Sequence, residues 1–215
     1  MSAEATIIAA LEEQGLLGLG VFECEGHRAQ LMGNVGSSLW PAFSTSDEYV
    51  DGRSDPMNRW TQRLVEAAVQ LVEADKVREV RYPFGDRVWP FQAYGRKAMA
   101  AEQSPIGLLV SQKYGLWTAF RAVIVFNQQW VQSEPCRSDS PCETCSEKPC
   151  LNTCPIGAFS TDGHDYTACK SYVASDQGKT CRVGGCLARL ACPVGKDYRY
   201  LQEHQAFHMR AFVGS

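Results

Sequence analysis

The chain has 215 residues, 45% of them hydrophobic and 21% charged, enough to bury one good-sized core or to divide into a larger and a smaller domain. A formal net charge of -3 and the lack of any block of like charge argue against the basic surface of a nucleic-acid binder. The N-terminus MSAEATIIAALEEQG has no basic stretch and carries Glu4, Glu12 and Glu13, which is wrong for a signal peptide; apolar runs such as Trp117 to Phe126 are too short and interrupted to span a bilayer. The expectation is a cytoplasmic protein without a nucleic-acid or membrane partner.

In chain order, Ile7, Ile8 and Leu11 recur at helical spacing and predict a short N-terminal helix. LLGLGVFEC and RAQLMGNVG read as strands. Asp55-Pro56 is a helix start, and Trp60, Leu64, Ala68, Leu71 and Val72 form an apolar stripe over the following four or five turns. A strand from Val77 to Tyr82, a Pro- and Gly-rich loop (YPFGDRVWP) and a helix from Phe91 to Glu102 follow. IGLLV and TAFRAVIVF read as two further strands. Helices and strands alternate without a βαβ repeat, which predicts an α+β layer fold. QSEPCRSDSP reads as a linker or crossover, and Arg199 to Val213 as a helix with Leu201, His204, His208 and Ala211 on one face. Residues 136 to 215 carry nine Lys/Arg and eight Asp/Glu, leaving twelve and sixteen for the rest, so neither part points to a polyanionic partner.

Ten cysteines in a reducing compartment point to metal binding rather than disulfides. Cys24 stands alone and the other nine fall between Cys136 and Cys192. The strongest motif is CETCSEKPCLNTCP, in which Cys142, Cys145, Cys150 and Cys154 precede Pro155. A second set, Cys169, Cys181, Cys186 and Cys192, is more widely spaced and again ends on Cys-Pro. A cubane cluster needs four thiolates converging from compact loops. Two zinc ribbons could also use eight cysteines, although paired CxxC knuckles are missing. A disulfide scaffold, or a single cluster beside a decayed second site, would account for the cysteines in a different way. Cys136 and Cys24 are read as spare thiols.

Gly15, Gly18 and Gly20 in GLLGLG lead into a strand and lack the GxGxxG spacing, so they read as turn glycines. His204 and His208 have a spacing compatible with metal ligation but no HExxH context. Trp89, Phe91, Tyr94, Tyr114 and Trp117, interleaved with Gln92, Gly115 and Arg121, read either as core or as the walls and polar anchors of a site for a flat cofactor.

The first cysteine motif resembles the bacterial ferredoxin pattern C-x2-C-x2-C-x3-C-P with two extra residues before Cys150. In two-cluster ferredoxins each Cys-Pro cysteine ligates the other motif's cluster. That resemblance implies one [4Fe–4S] cluster on Cys142, Cys145, Cys150 and Cys192 and a second on Cys154, Cys169, Cys181 and Cys186. With CKSYV and the last Cys-Pro, this part is similar to the ferredoxin module of epoxyqueuosine reductases and reductive dehalogenases, where the module serves a corrinoid held by a nitroreductase-like domain. YGLWTAFRAVIVF, Tyr114 to Phe126, and more weakly LMGNVGSSLWPAF, Leu31 to Phe43, resemble the CblC family of cobalamin-processing proteins, with Leu116 in place of the second glycine of that family's pair.

These resemblances imply a nitroreductase-like, CblC-like domain over residues 1–133, a ferredoxin-like module over 134–198 and a C-terminal helix over 199–215. They imply Tyr114, Gly115, Trp117, Phe91 and Gln92 near a corrinoid, Arg121 at an anionic group, and electron transfer from two [4Fe–4S] clusters supplied by a donor protein. An FMN-dependent reductase on the same fold and a plain electron carrier are the competing readings, and no catalytic residue is assigned.

Overall fold

A computed structural model describes residues 2–131, 139–160 and 163–214. The chain forms two compact units: one of residues 1–100 and 118–137, the other of 101–117 and 138–215. The elements are α1 (Ala3–Glu12), β1 (Leu17–Cys24), β2 (His27–Val35), α2 (Trp40–Phe43), α3 (Asp47–Val50), α4 (Pro56–Val69), β3 (Val77–Arg81), α5 (Phe91–Met99), β4 (Glu102–Gln103), β5 (Leu109–Val110) and β6 (Thr118–Gln129). Then come α6 (Pro149–Asn152), β7 (Phe159–Ser160), β8 (Gly163–His164), α7 (Tyr166–Ala174), α8 (Lys179–Gly184), α9 (Leu187–Ala191) and α10 (Gln202–Val213).

The first unit is built on an antiparallel sheet in the order β1-β2-β6-β3. Residues Ala122 to Phe126 of β6 are all buried, as a central strand covered on both faces requires. On one face Val123 and Val125 pack with Phe22, Leu31 and the α5 residues Phe91 and Tyr94. Ala122 and Ile124 point the other way by strand alternation. The pairing of β2 with β6 slips between Met32 and Gly33, leaving Arg121 as the extra residue on β6. Such a bulge re-aims a side chain, and Arg121 reaches α4.

Helix α4 is shorter than its apolar stripe suggested. It ends at Val69, its buried residues are Met57, Trp60, Thr61, Val65 and Ala68, and Leu71 lies exposed beyond it. Helix α5 stops at Met99 because Ala100 takes a left-handed conformation and caps back to the Arg96 carbonyl, so the expected end at Glu102 overruns by a turn. Glu102–Gln103 pairs instead with Leu109–Val110, the only part of IGLLV that becomes a strand. The glycines of GLLGLG serve turns and close approach: Gly15 has φ +76°, and a Cβ on Gly20 would stand 2.2 Å from the Ala98 carbonyl oxygen.

The second unit takes in residues 101–117, which the sequence groups with the N-terminal domain. The reason is apolar: Ile106, Val110 and Leu116 share a core with Cys150, Ala188 and Cys192. The expected boundary at 133/134, most of the linker and Cys136 lie outside the described residues. Among the described residues no helix is long and apolar enough to cross a membrane.

Candidate metal centre

Short helices distribute the cysteines of the second unit. Pro149 opens α6, Cys150 is its buried residue, and Cys154 follows it with Pro155. Cys169 lies on α7 and Cys181 on α8, where it is the buried residue. Cys186 and Cys192 flank α9 at its N- and C-terminal ends. Five residues of helix rise roughly 7 Å, which sends these two thiols to opposite ends of one rigid piece.

Their electrostatic neighbours define two groups. Burial pushes the Cys150 thiol above its ordinary pKa, and Cys192, Cys142 and Cys145 push the same way. Cys142 is raised by burial and by Cys192 and Cys145, with Ser140 opposing through a side-chain hydrogen bond. The other group centres on Cys169, pushed up to about 11 by burial and then by Cys186, Cys154 and Cys181. Cys181 and Cys186 are raised by burial and feel Cys154 as a neighbour.

The structure thus brings Cys142, Cys145, Cys150 and Cys192 together, and separately Cys154, Cys169, Cys181 and Cys186. These last four line one cavity with Phe159, Val173 and other apolar residues. Cys142, Cys150 and Cys192 of the first group and Cys154 and Cys186 of the second meet the apolar cluster around Leu116 and Ala188. Among the described residues no group of three or more Cys, His, Asp or Glu is arranged to hold a single metal ion. Four thiolates on one zinc ion would have to converge to within about 4 Å of each other at Zn–S of about 2.3 Å. A cubane spreads its ligands wider, and a group of four thiols is the donor set it would take.

The crossing that carries Cys192 depends on two glycines. Gly115 (φ +57°) and Gly195 (φ +69°) let two backbone segments touch: a Cβ on Gly115 would stand 2.1 Å from the Val194 carbonyl oxygen, and one on Gly195 2.4 Å from that of Tyr114. Gly115 is therefore spent on closing the chain over Cys192-Pro193-Val194. Trp117 is fully buried, with Arg189 over its ring at 4.4 Å and Tyr200 edge-on at 5.4 Å. Its indole N–H has no hydrogen-bond partner among the described residues, which costs about 1–3 kcal/mol. Tyr114 packs edge-on against Tyr198.

In the first unit, Phe91 is buried against Tyr94 and Gln92 is exposed. Arg121 donates to Asn58 Oδ1 at 2.8 Å and to Thr61 Oγ1 at 3.3 Å. Trp117 and Phe91, expected as walls for a ring, are enclosed by protein, and the space beside Gly115 is filled by a carbonyl. His204 is fully buried and stacked on Tyr200, with its Nε2 3.0 Å from that of His208.

Sequence reasoning missed the buried Arg81. It donates to Tyr94 Oη at 2.7 Å, Cys24 Sγ at 3.2 Å, Glu79 Oε2 and Glu25 Oε1, and lies 4.0 Å from the Trp89 ring centre. Burial raises the Cys24 thiol while Arg81 pulls it back. The available signal was strand alternation, which puts Glu79 and Arg81 on one face of β3.

Solved structures share this fold. A CblC B12-trafficking protein from C. elegans matches with a TM-score of 0.57 and 15% identity over 99% of this chain and 92% of that one. A selenomethionine-labelled epoxyqueuosine reductase matches with a TM-score of 0.51 and 12% identity over 85% of this chain and 52% of that one. An epoxyqueuosine reductase with a tRNA stem loop matches with a TM-score of 0.49 and 14% identity, over 83% and 51%. The chain spans about half the length of the epoxyqueuosine reductases it matches. No protein-family model and no curated protein matches the chain. The chain has a mixed α+β fold of the kind found in CblC and epoxyqueuosine reductase.

Proposed function

We propose that this protein is a cytoplasmic iron–sulfur oxidoreductase in which residues 101–117 and 138–215 form a ferredoxin-like module with two [4Fe–4S] clusters. The observation that carries the reading is the gathering of eight thiols into two groups of four. Cys142, Cys145, Cys150 and Cys192 hold one cluster; Cys154, Cys169, Cys181 and Cys186 hold the other. Each cluster, when bound, supplies reversible one-electron storage. The chain's own part is to give up the thiol protons on loading, since only thiolates ligate, and to keep water off the sulfurs. Leu116, Ala188, Phe159 and Val173 do the latter.

The electrons come from a donor protein and go to a small molecule. The favoured acceptor is a corrinoid, because the CblC neighbour, a B12-trafficking protein, is matched over nearly the whole of both chains. This support is of fold alone. Trp117, Phe91 and Gly115 do not fit the part of ring-facing residues, so no step is assigned to them or to Tyr114 and Gln92. Arg121, on its bulge with Asn58 and Thr61, stays the anchor proposed for an anionic group. FMN in place of a corrinoid is the second reading. The expectation of no nucleic-acid partner runs against the tRNA stem loop in one neighbour and needs a direct binding test with such a stem loop.

Anaerobically prepared protein is expected to contain about eight iron and eight sulfide per chain. Cys192→Ser is expected to remove the same spectral species as Cys142→Ser. Zinc in place of iron, or four iron with no effect of Cys192→Ser, refutes the assignment. Titration with cobalamin and with FMN, followed by visible spectra before and after reduction, separates the acceptors; binding of neither leaves an electron carrier.

A further inference from the structure

Helix α10 carries two histidines, His204 and His208, that the two thiol groups leave unused. A spacing of four residues puts both on one face of the helix. His204 is fully buried, its ring stacked on that of Tyr200 with centroids 4.2 Å apart and planes 10° from parallel. That ring is therefore held in place before any ligand arrives. His208 is half-buried and packs edge-on against Phe207, 5.5 Å away between centroids, so the pair keeps a side open to solvent.

The two imidazoles do not meet end to end. Their Nε2 atoms lie 3.0 Å apart and their centroids 4.8 Å apart. A ring centre stands about 1.15 Å behind its nitrogen, so a straight hydrogen bond of this length would separate the centres by about 5.3 Å. Two rings aimed at one ion about 2.1 Å from each nitrogen would separate them by about 4.6 Å. The observed separation is nearer the second, and the two Nε2 atoms then subtend about 90° at the ion. A right angle is the cis angle of a tetragonal ion such as Ni²⁺ or Cu²⁺, whereas tetrahedral zinc would hold the nitrogens about 3.4 Å apart. Imidazole donors suit such late ions and not Ca²⁺ or Mg²⁺. Among the described residues no group of three or more Cys, His, Asp or Glu surrounds this point, which leaves the other coordination positions to water. The Arg189 guanidinium, over the Tyr200 ring at 4.5 Å, opposes added positive charge and weakens the site.

We infer that His204 and His208 form a binding site for a late divalent transition ion, Ni²⁺ or Cu²⁺, with the two Nε2 atoms in neighbouring positions and water in the rest. Each ring presents its Nε2 lone pair and keeps its proton on Nδ1. The ion takes the place of the hydrogen bond between the nitrogens, and its water positions are open to an exchangeable ligand. No thiol takes part, so the inference does not depend on the iron–sulfur reading.

The test is equilibrium dialysis of the anaerobically prepared full chain against Ni²⁺, followed by X-ray absorption at the nickel edge, on wild type, His204→Gln, His208→Gln and the exposed control His164→Gln. Wild type is expected to show nickel with the scattering of two imidazoles. Loss of either ligand weakens that binding by about tenfold or more, and His164→Gln leaves it unchanged. Ni²⁺ also raises the melting temperature of wild type and not that of His208→Gln. No bound nickel, nickel held through sulfur without imidazole scattering, or an imidazole signal undiminished in His208→Gln overturns the inference. Where the buried His204→Gln does not fold, the half-buried His208→Gln and the wild-type spectrum decide the matter.

Discussion

Gly115→Ala tests the claim that the 111–117 segment secures Cys192. The added methyl carries two costs. Alanine at φ +57° is strained by about 1–2 kcal/mol. Its Cβ also meets the Val194 carbonyl oxygen at 2.1 Å and carbon at 2.7 Å, backbone atoms that cannot swing aside, and such overpacking costs about 1–3 kcal/mol. The sum is about 3 kcal/mol, or a fall in Tm of roughly 6–12 °C for a chain of this size. Gly107→Ala is the control, because it has φ +80° with nothing within 4 Å of the added carbon and so carries only the strain. Its expected loss is about 1 kcal/mol, or roughly 2–4 °C. Anaerobic calorimetry gives the melting temperatures, and iron analysis of the folded samples shows whether displacing Val194 disturbs Cys192. Equal shifts for the two variants, with full iron content in both, would refute the reasoning.

Two further outcomes follow from the first unit. Arg63 Nε lies 2.5 Å from Glu48 Oε1, and this hydrogen bond holds the Glu48 carboxyl below its ordinary pKa. A depressed folded pKa contributes stability above the unfolded value of about 4.3, which is lost as pH falls through the folded one. Glu48→Gln should therefore lower stability by about 1 kcal/mol at pH 7, with the difference from wild type closing below about pH 4 in denaturation curves. Arg81→Met removes a buried cation from Tyr94, Cys24 and Glu79. Glu79 and Glu25 keep partial access to water, so the expected loss is about 2–3 kcal/mol, under the 3–5 of a fully buried pair, and calorimetry should show a fall of roughly 5–10 °C.

Elements with a strong local period were legible from residues alone. The helices starting at Ala3 and Pro56 and the strands carrying VFEC, LMGN and FRAVIVF lie where periodicity puts them, since each period is a property of neighbouring residues. The ends were less legible. Leu71 and Val72 continue the apolar spacing of α4, yet the helix has already stopped, because burial depends on what lies opposite and not on the spacing itself. Trp117 shows the same limit at the site: a tryptophan beside a glycine fits a ring-binding wall and a packed core equally well until Arg189 and Tyr200 are seen to cover it.

The amino-acid sequence by itself determined where the thiols gather, because nine cysteines between Cys136 and Cys192 and two Cys-Pro endings are local patterns. It also determined a strand in TAFRAVIVF, whose central place between β2 and β3 came from pairing in the folded sheet. Tertiary structure alone decided that residues 101–117 belong with the cysteines, that Arg81 sits beside the Cys24 thiol and the Trp89 ring, that Arg189 lies between the rings of Trp117 and Tyr200, and that Gly115 is required by a passing carbonyl. Each of these depends on segments far apart in the chain coming into contact, as Cys24 and Arg81, 57 residues apart, or Gly115 and Val194, 79 apart, do. No local spacing records such a meeting, because it is set by how apolar faces find each other once the chain has closed.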